Sequence, residues 1–110
     1  MIIQTVHSLS VPARLEILEL LREGEMTSTE IASNFSISAP AVSQHLKVLE
    51  SSGLVSVRKA GTKRYYRIRR EGFTDLKKFI DQFWDDSLLR LKEAAEEEER
   101  KKHETEYGDS

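Results

Sequence analysis

The stretch from Ser38 to Val55, SAPAVSQHLKVLESSGLV, carries two kinds of side chain at helical spacing. Val42, Leu46 and Leu49 recur at steps of four and three and form an apolar stripe. The opposite side presents Ala39, Pro40, Ser43, Gln44 and Lys47, which are small or can donate hydrogen bonds. Such a face suits a duplex groove. A Gln pairs bidentately with adenine, a Ser donates or accepts, and small residues let the backbone come close or meet a thymine methyl. Ser38 stands where it can cap the helix, and a helix N-terminus brings free N–H groups and partial positive charge to a phosphate. Bulky acidic side chains on this face would clash with or repel a polyanion. His45 lies three residues after Val42 and four before Leu49, so it borders the core. A hydrogen-bonded structural or phosphate-facing His fits that position better than a base reader.

A second set of chemically capable residues follows. Seven basic side chains and no acidic one lie between Arg58 and Arg70. Arg58, Lys59, Lys63, Arg64 and Arg67 surround the turn Lys59-Ala-Gly-Thr62, where Gly61 is the natural positive-φ residue. Cations on a protruding hairpin can flank a duplex and contact its backbone or minor groove. They supply affinity and salt dependence but little sequence information. Tyr65 and Tyr66 read as strand residues packing against helices, because duplex bases are already stacked. Arg14, early in its helix, and Thr27 with Ser28 can touch phosphates or serve plain capping and solvation.

These residues need elements to hold them. Val11 to Glu23 reads as a helix, with Ser10 as its cap, Pro12 in its first turn, Ile17, Leu18, Leu20 and Leu21 buried, and Gly24 as its stop. Met1 to Leu9 fits a short preceding helix with Ile2, Ile3, Val6 and Leu9 on one side. Thr27-Ser-Thr-Glu30 fits a capping box opening a short helix to about Asn34, which buries Ile31, Ala32 and Phe35. Ser36-Ile-Ser38 is a tight turn into the next helix, which Gly53 ends after about Ser52. Two short helices so joined form a helix-turn-helix. Val55 and Val57, then Tyr66 and Ile68, alternate with polar residues as the two strands of the basic hairpin. From Phe73 an apolar pattern holds to about Lys102, a rod of about 42 Å. Past Ala95 it is nearly all charge, with Glu96–Glu99 facing i,i+4 partners such as Arg100 and Lys101, and disorder is expected from about Thr105.

Composition bounds the reading. A chain of 110 residues is one domain's worth and can bury a core without staples. Cys is absent, which excludes disulfides and thiolate metal sites. No apolar run is long enough to span a membrane, and the N-terminus lacks the pattern of a signal peptide, so a cytoplasmic location is expected. The net charge of −2 hides an asymmetry: residues 1–70 hold ten Lys/Arg against six Asp/Glu, and residues 71–110 hold seven against thirteen. A local basic patch on a weakly acidic protein points to a polyanion partner. No nucleophile–base pair or Gly-rich phosphate loop is present, so an enzyme is not expected.

Helix, helix-turn-helix, basic hairpin and long helix make a mainly α fold with a small β-hairpin, the layout of a winged helix-turn-helix. The stretches ARLEILELLREGEMTSTEIA, SAPAVSQHLKVLESSGLV and VRKAGTKRYYRI go further. They resemble the ArsR/SmtB-type transcription regulators of bacteria and archaea, most specifically in Ser43-x-His45-Leu46-x-x-Leu49 followed by Gly53-Leu54-Val55. The resemblance covers about residues 9–92. It implies a homodimeric winged-helix DNA-binding repressor whose first and last helices pair across the dimer. One departure is Val11-Pro-Ala-Arg14, where the family often has Asp-Pro-Thr-Arg; the missing Asp weakens any role for that corner.

With that resemblance in view, the stripe Leu76, Phe79, Ile80, Phe83, Trp84, Leu88 and Leu91 is too long for one small domain to cover. It is assigned to a dimer interface together with Ile2, Ile3 and Val6. A two-fold dimer sets two recognition helices about 34 Å apart and predicts a palindromic operator. Relatives of the resembled family bind metal through Cys pairs in the helix before the recognition helix or Asp/His sets in the last helix. Here residues 29–35 hold no Cys, and the last helix has no His before His103, remote in sequence from His7 and His45. No metal site of that kind and no cofactor is expected; Asp81, Asp85 and Asp86 read as a solvated face. The expected organisation is a DNA-binding and dimerisation domain, 1–95, and a charged tail, 96–110. Two alternatives stay open: a metal-responsive repressor with an atypical site, and a winged-helix interaction module that does not bind DNA. An effector or partner protein is left unspecified.

Overall fold

The computed structural model describes residues 2–108, with side chains to Lys102. It divides into two compact units, residues 1–76 and 77–110. The first contains α1 (Ile2–Leu9), α2 (Pro12–Leu21), β1 (Met26–Thr27), α3 (Ser28–Ala32), α4 (Ala39–Ser51), β2 (Val55–Ala60), β3 (Lys63–Ile68) and a 3-10 turn (Arg70–Phe73). The helix α5 starts at Thr74 in this unit and runs to Gly108. The architecture is a winged helix-turn-helix.

The helix-turn-helix forms where local signals agree. Thr27 and Glu30 make the reciprocal capping box at the head of α3. Ser38 caps α4, its hydroxyl accepting from the Ala41 N–H at 3.2 Å, and Pro40 occupies the first turn. Ile31 from α3, with Val42, Leu46 and Leu49 from α4, are almost wholly buried against Ile17, Leu18 and Leu21 of α2. Each contributes about 1.5–3 kcal/mol of burial. Leu54, Val55 and Tyr66 join this core to the sheet.

The hairpin β2–β3 pairs in antiparallel register, Val55 opposite Ile68 and Ala60 opposite Lys63. It is not two-stranded as the sequence suggests: β1 adds to the far edge of β3, Met26 opposite Tyr66 and Thr27 opposite Tyr65. Two residues carry no strand periodicity, so this strand was invisible in the pattern. Its effect is to tie the start of the helix-turn-helix to the base of the wing.

One further expectation is corrected. Ser10 does not cap α2: its hydroxyl donates to the His7 carbonyl at 2.6 Å, and Val11 is the N-cap without a side-chain bond. In α1 the polar Thr5 and Ser8 face inward, and Ile3 and Val6, which the sequence reading sets aside for a dimer interface, are exposed in the single chain. The Ser8 and Ser52 hydroxyls touch, so only small residues fit where α1 meets the end of α4. The backbone of α5 is helical to Gly108. Consecutive Glu-to-basic spacings support that end, Arg100 pairing with Glu97.

The passage from β3 to α5 is pinned to the turn after α4. The Arg69 N–H donates to the Leu54 carbonyl at 2.9 Å, and its guanidinium donates to the Gly53 carbonyl at 3.3 Å. Gly53 ends α4 at φ +74°. Gly72 lies so close to it that a Cβ would overlap the Gly53 carbonyl oxygen and stand 2.7 Å from its carbon. Both clashing groups are backbone and cannot rotate away. Gly72→Ala is therefore expected to cost about 3 kcal/mol and lower Tm by roughly 10 °C or more in thermal denaturation, against little change for an exposed substitution such as Ser36→Ala.

Candidate nucleic-acid interface

The buried stripe of α4 turns its other face outward. Ala39, Pro40, Ser43, Gln44 and Lys47 are all exposed. Alternation along the hairpin then sorts the wing's cations. Lys59 and Arg64 are direct ladder partners on the face that also carries Val57 and Tyr66. Arg58, Lys63, Tyr65 and Arg67 occupy the other face. Gly61 makes the turn at φ +63°.

Between α4 and the inner face of the wing lies a cleft of about 610 Å³. Ser28, Pro40, Ser43, Gln44, Lys47 and Arg64, all proposed from sequence, line it together with Glu50, Thr62 and Tyr66. The last three were not anticipated. Glu50 was within reach of periodicity, standing three residues after Lys47; Thr62 enters from the hairpin turn and Tyr66 through the strand register. Among the described residues, no carboxylate forms an ion pair with Lys47, Lys59, Lys63 or Arg64. Their charge remains available to an anion.

Other proposed residues sit elsewhere. Arg58 is engaged: its guanidinium donates to Glu25 at 2.7 Å and covers the Tyr65 ring, 4.4 Å from the centroid. Tyr65 thus stacks under an arginine on the outer face rather than packing against helices, while Tyr66 is buried in the core. Arg67 donates to the Ser56 hydroxyl at 3.2 Å on that outer face. Thr27 is buried, and its hydroxyl both donates to the Glu30 carboxylate at 2.8 Å and accepts from the Glu30 N–H at 3.1 Å. Ser38 is used as a cap. His45 lies on the half-buried border of α4, and its Nδ1 accepts from Arg14 Nε at 3.3 Å; the other ring nitrogen then carries the proton in the neutral form.

The Glu25 carboxyl is held below its ordinary value, chiefly by the hydrogen bond from Arg58, and the Arg58 guanidinium is raised chiefly by the same bond. The hydrogen bonds from Thr27, side chain first and then backbone, lower Glu30. Among the described residues no group of three His, Cys, Asp or Glu converges as a metal site, and no helix is long and apolar enough to cross a membrane.

Residues 11–57 match the family described as bacterial regulatory protein, arsR family. The chain is 40% identical over 82 residues to the HTH-type transcriptional regulator Rv2034 of Mycobacterium tuberculosis, covering 74% of this chain and 77% of that protein. It is 43% identical over 63 residues to an arsenical resistance operon repressor of Staphylococcus xylosus, covering 57% of this chain and 61% of that one. Among solved structures, the homodimeric winged helix-turn-helix DNA-binding domain Mb0332 of Mycobacterium bovis superposes with a TM-score of 0.62 at 33% identity, covering 77% of this chain and 79% of that domain.

The lowered carboxyls give a signed pH dependence. A glutamate held low contributes stability that is complete above its ordinary value of 4.5 and is lost as pH falls through the lowered value. In a carboxyl NMR titration Glu25 and Glu30 are expected to titrate below the ordinary value of 4.5. Arg58→Ala should return Glu25, but not Glu30, to the ordinary range; equal movement of both would contradict the assigned partners.

Proposed function

The chain belongs to the arsR family of bacterial regulatory proteins, and we propose that it is a homodimeric, sequence-specific DNA-binding repressor acting on a palindromic operator in the cytoplasm. The observation that carries this reading is the cleft in which Ser43, Gln44 and Lys47 of α4 stand beside Arg64 of the wing. The exposed face of α4 enters the major groove, with Gln44 and Ser43 at base edges and Lys47 at a phosphate. Arg64, Lys59 and Lys63 follow the backbone, and Ser28, Ala39 and Pro40 approach it from the head of the helix-turn-helix. Arg58 joins them only by leaving Glu25, so it ranks below Arg64 as a contact.

Dimerisation is supported by the unpartnered apolar side chains of α1 and α5. Phe79, Phe83 and Trp84 are each more than half exposed in the single chain, as are Ile3, Val6, Leu88 and Leu91. An apolar surface of this extent marks an interface, and the Mycobacterium bovis relative is homodimeric. Residues 1–95 form the working DNA-binding and dimerisation domain on this reading, with 96–110 as a charged extension of the rod. Repression comes from occupying promoter DNA, without the Cys or Asp/His metal sets of the resembled family. The lack of any Cys, and of a His in α5 before His103, supports that.

A mobility-shift titration on the DNA upstream of the protein's own gene, at two salt concentrations, tests the reading. Gln44→Ala is expected to cost about 1–3 kcal/mol on the specific duplex and little on random DNA. Arg64→Ala should weaken both and reduce the salt slope by about one, with a smaller effect from Arg58→Ala. Equal binding of upstream and random duplex by the parent protein would remove sequence specificity. For the interface, Phe83→Glu is expected to sediment as a monomer with helical content retained and to lose operator affinity; an unchanged dimer would reject the α5 assignment.

A further inference from the structure

Next to the wing cleft, across the ridge made by Gln44 and Lys47, lies a second hollow of about 420 Å³ between α1, α2 and α4. Gln4 and His7 of α1, Arg14 of α2 and Ser51 of α4 line it along with those two ridge residues. Among the described residues no carboxylate lines it. Three hollows bordered by the wing sheet each include one, Glu25, Glu71 or Glu50. The acid-free hollow also holds an unspent charge. Arg14 is half-buried and fixed by two neutral acceptors, its Nε donating to His45 Nδ1 and its Nη1 to the Ser8 carbonyl, each at 3.3 Å. Among the described residues no carboxylate pairs with it. A guanidinium has five N–H donors, so three remain. A partly desolvated cation held in place by neutral groups recovers its lost hydration when an anion arrives.

The shape fits the same conclusion. A helix about 10–12 Å across fills a major groove about 12 Å wide, so each flank of the inserted helix faces one sugar–phosphate strand. The wing cleft accounts for one flank only. In α1, Gln4 and His7 lie on one side of the buried Thr5 and Ser8, and the exposed Ile3 and Val6 lie on the other. The polar side of α1 is thus the wall of this hollow.

We propose that the hollow is a second seat for the DNA backbone: it receives a phosphodiester of the strand bordering α4 on the side away from the wing, bound by Arg14 and by N–H donors of His7 and Gln4. This rests on the reading of α4 as the groove-inserted helix. His45 does not touch the phosphate; it positions Arg14.

Fluorescence anisotropy with the parent's bound duplex, carrying single neutral methylphosphonates scanned along both strands, tests it. For the parent, one position on the strand away from the wing is expected to lose about tenfold in affinity. Arg14→Gln should weaken binding of unmodified duplex about tenfold, and the double variant Gln4→Ala/His7→Ala a few-fold. In Arg14→Gln the penalty at that position should vanish, and in the double variant, which keeps Arg14, it should shrink by the same few-fold, while Arg64→Ala keeps it in full. The double variant changes only exposed side chains, so it reads out even if Arg14→Gln fails to fold. A penalty of the same size in the double variant and the parent overturns the proposal while salt-dependent binding by the parent leaves the DNA reading intact. No salt-dependent binding of any duplex by the parent sinks both.

Discussion

Burial of Val42, Leu46 and Leu49 fixes the rotation of α4 about its own axis, and the rest of the site depends on that rotation. A helix has one angular degree of freedom once its axis is placed, and three wholly buried side chains on one stripe remove it. Turning α4 by one residue's step would expose Leu46 and bury Lys47, losing about 2 kcal/mol for the leucine and adding the cost of an unpaired buried cation. Ser43, Gln44 and Lys47 are therefore held outward by the core, without needing contacts of their own. The ends are fixed as well: Ser38 caps the start, and the turn at Gly53 is clasped by Arg69 and packed against Gly72.

The wing adds a second sorting step. Seven basic residues in a row of thirteen look interchangeable in sequence, but the strand period of two divides them. Arg64 and Lys59 share the face of Tyr66 and Val57, which turns toward the recognition cleft. Arg58 falls on the other face, where Glu25 neutralises it and Tyr65 stacks beneath it. The pair is exposed enough that its contribution to stability is small. Its larger effect is on the field: it removes one positive charge from the wing's outer face, while Lys59 and Arg64 on the inner face form no carboxylate ion pair among the described residues.

What could be read from sequence follows how local the signal is. The capping box at Thr27–Glu30, the Ser38 cap, the stripe of α4 and the turn at Gly61 each rest on residues within one or two turns, and each is found where the spacing put it. The Ser10 cap was local too, yet the hydroxyl donates backward to the His7 carbonyl at the end of α1, and Val11 takes the N-cap position where the Ser10 oxygen was expected to accept. Long-range pairings were hidden. The strand Met26–Thr27 exists only because β3 offers it an edge, and the Arg58–Glu25 and Arg14–His45 contacts join residues more than thirty apart. Hence the exposed face of α4 was legible almost residue by residue. Which of the flanking cations remain free was not, because that depends on partners brought in by the fold.

The polarity of α1 shows why an apolar pattern need not mark the buried side of a helix. Ile3 and Val6 make the apolar side of α1, yet Thr5 and Ser8 are the buried pair. The end of α4 leaves no room for larger groups there, since the Ser8 and Ser52 hydroxyls meet. A branched aliphatic side chain at position 8 would push α1 away and pull the Ser8 carbonyl off Arg14. Small polar residues accept the close approach and satisfy their hydroxyls locally. The apolar residues are thereby displaced to the outside. In a single chain that arrangement leaves hydrophobic surface exposed to water. The same short helix that packs its small polar residues against the end of α4 thus carries an uncovered apolar side, and its polar side walls the hollow beside the exposed face of α4.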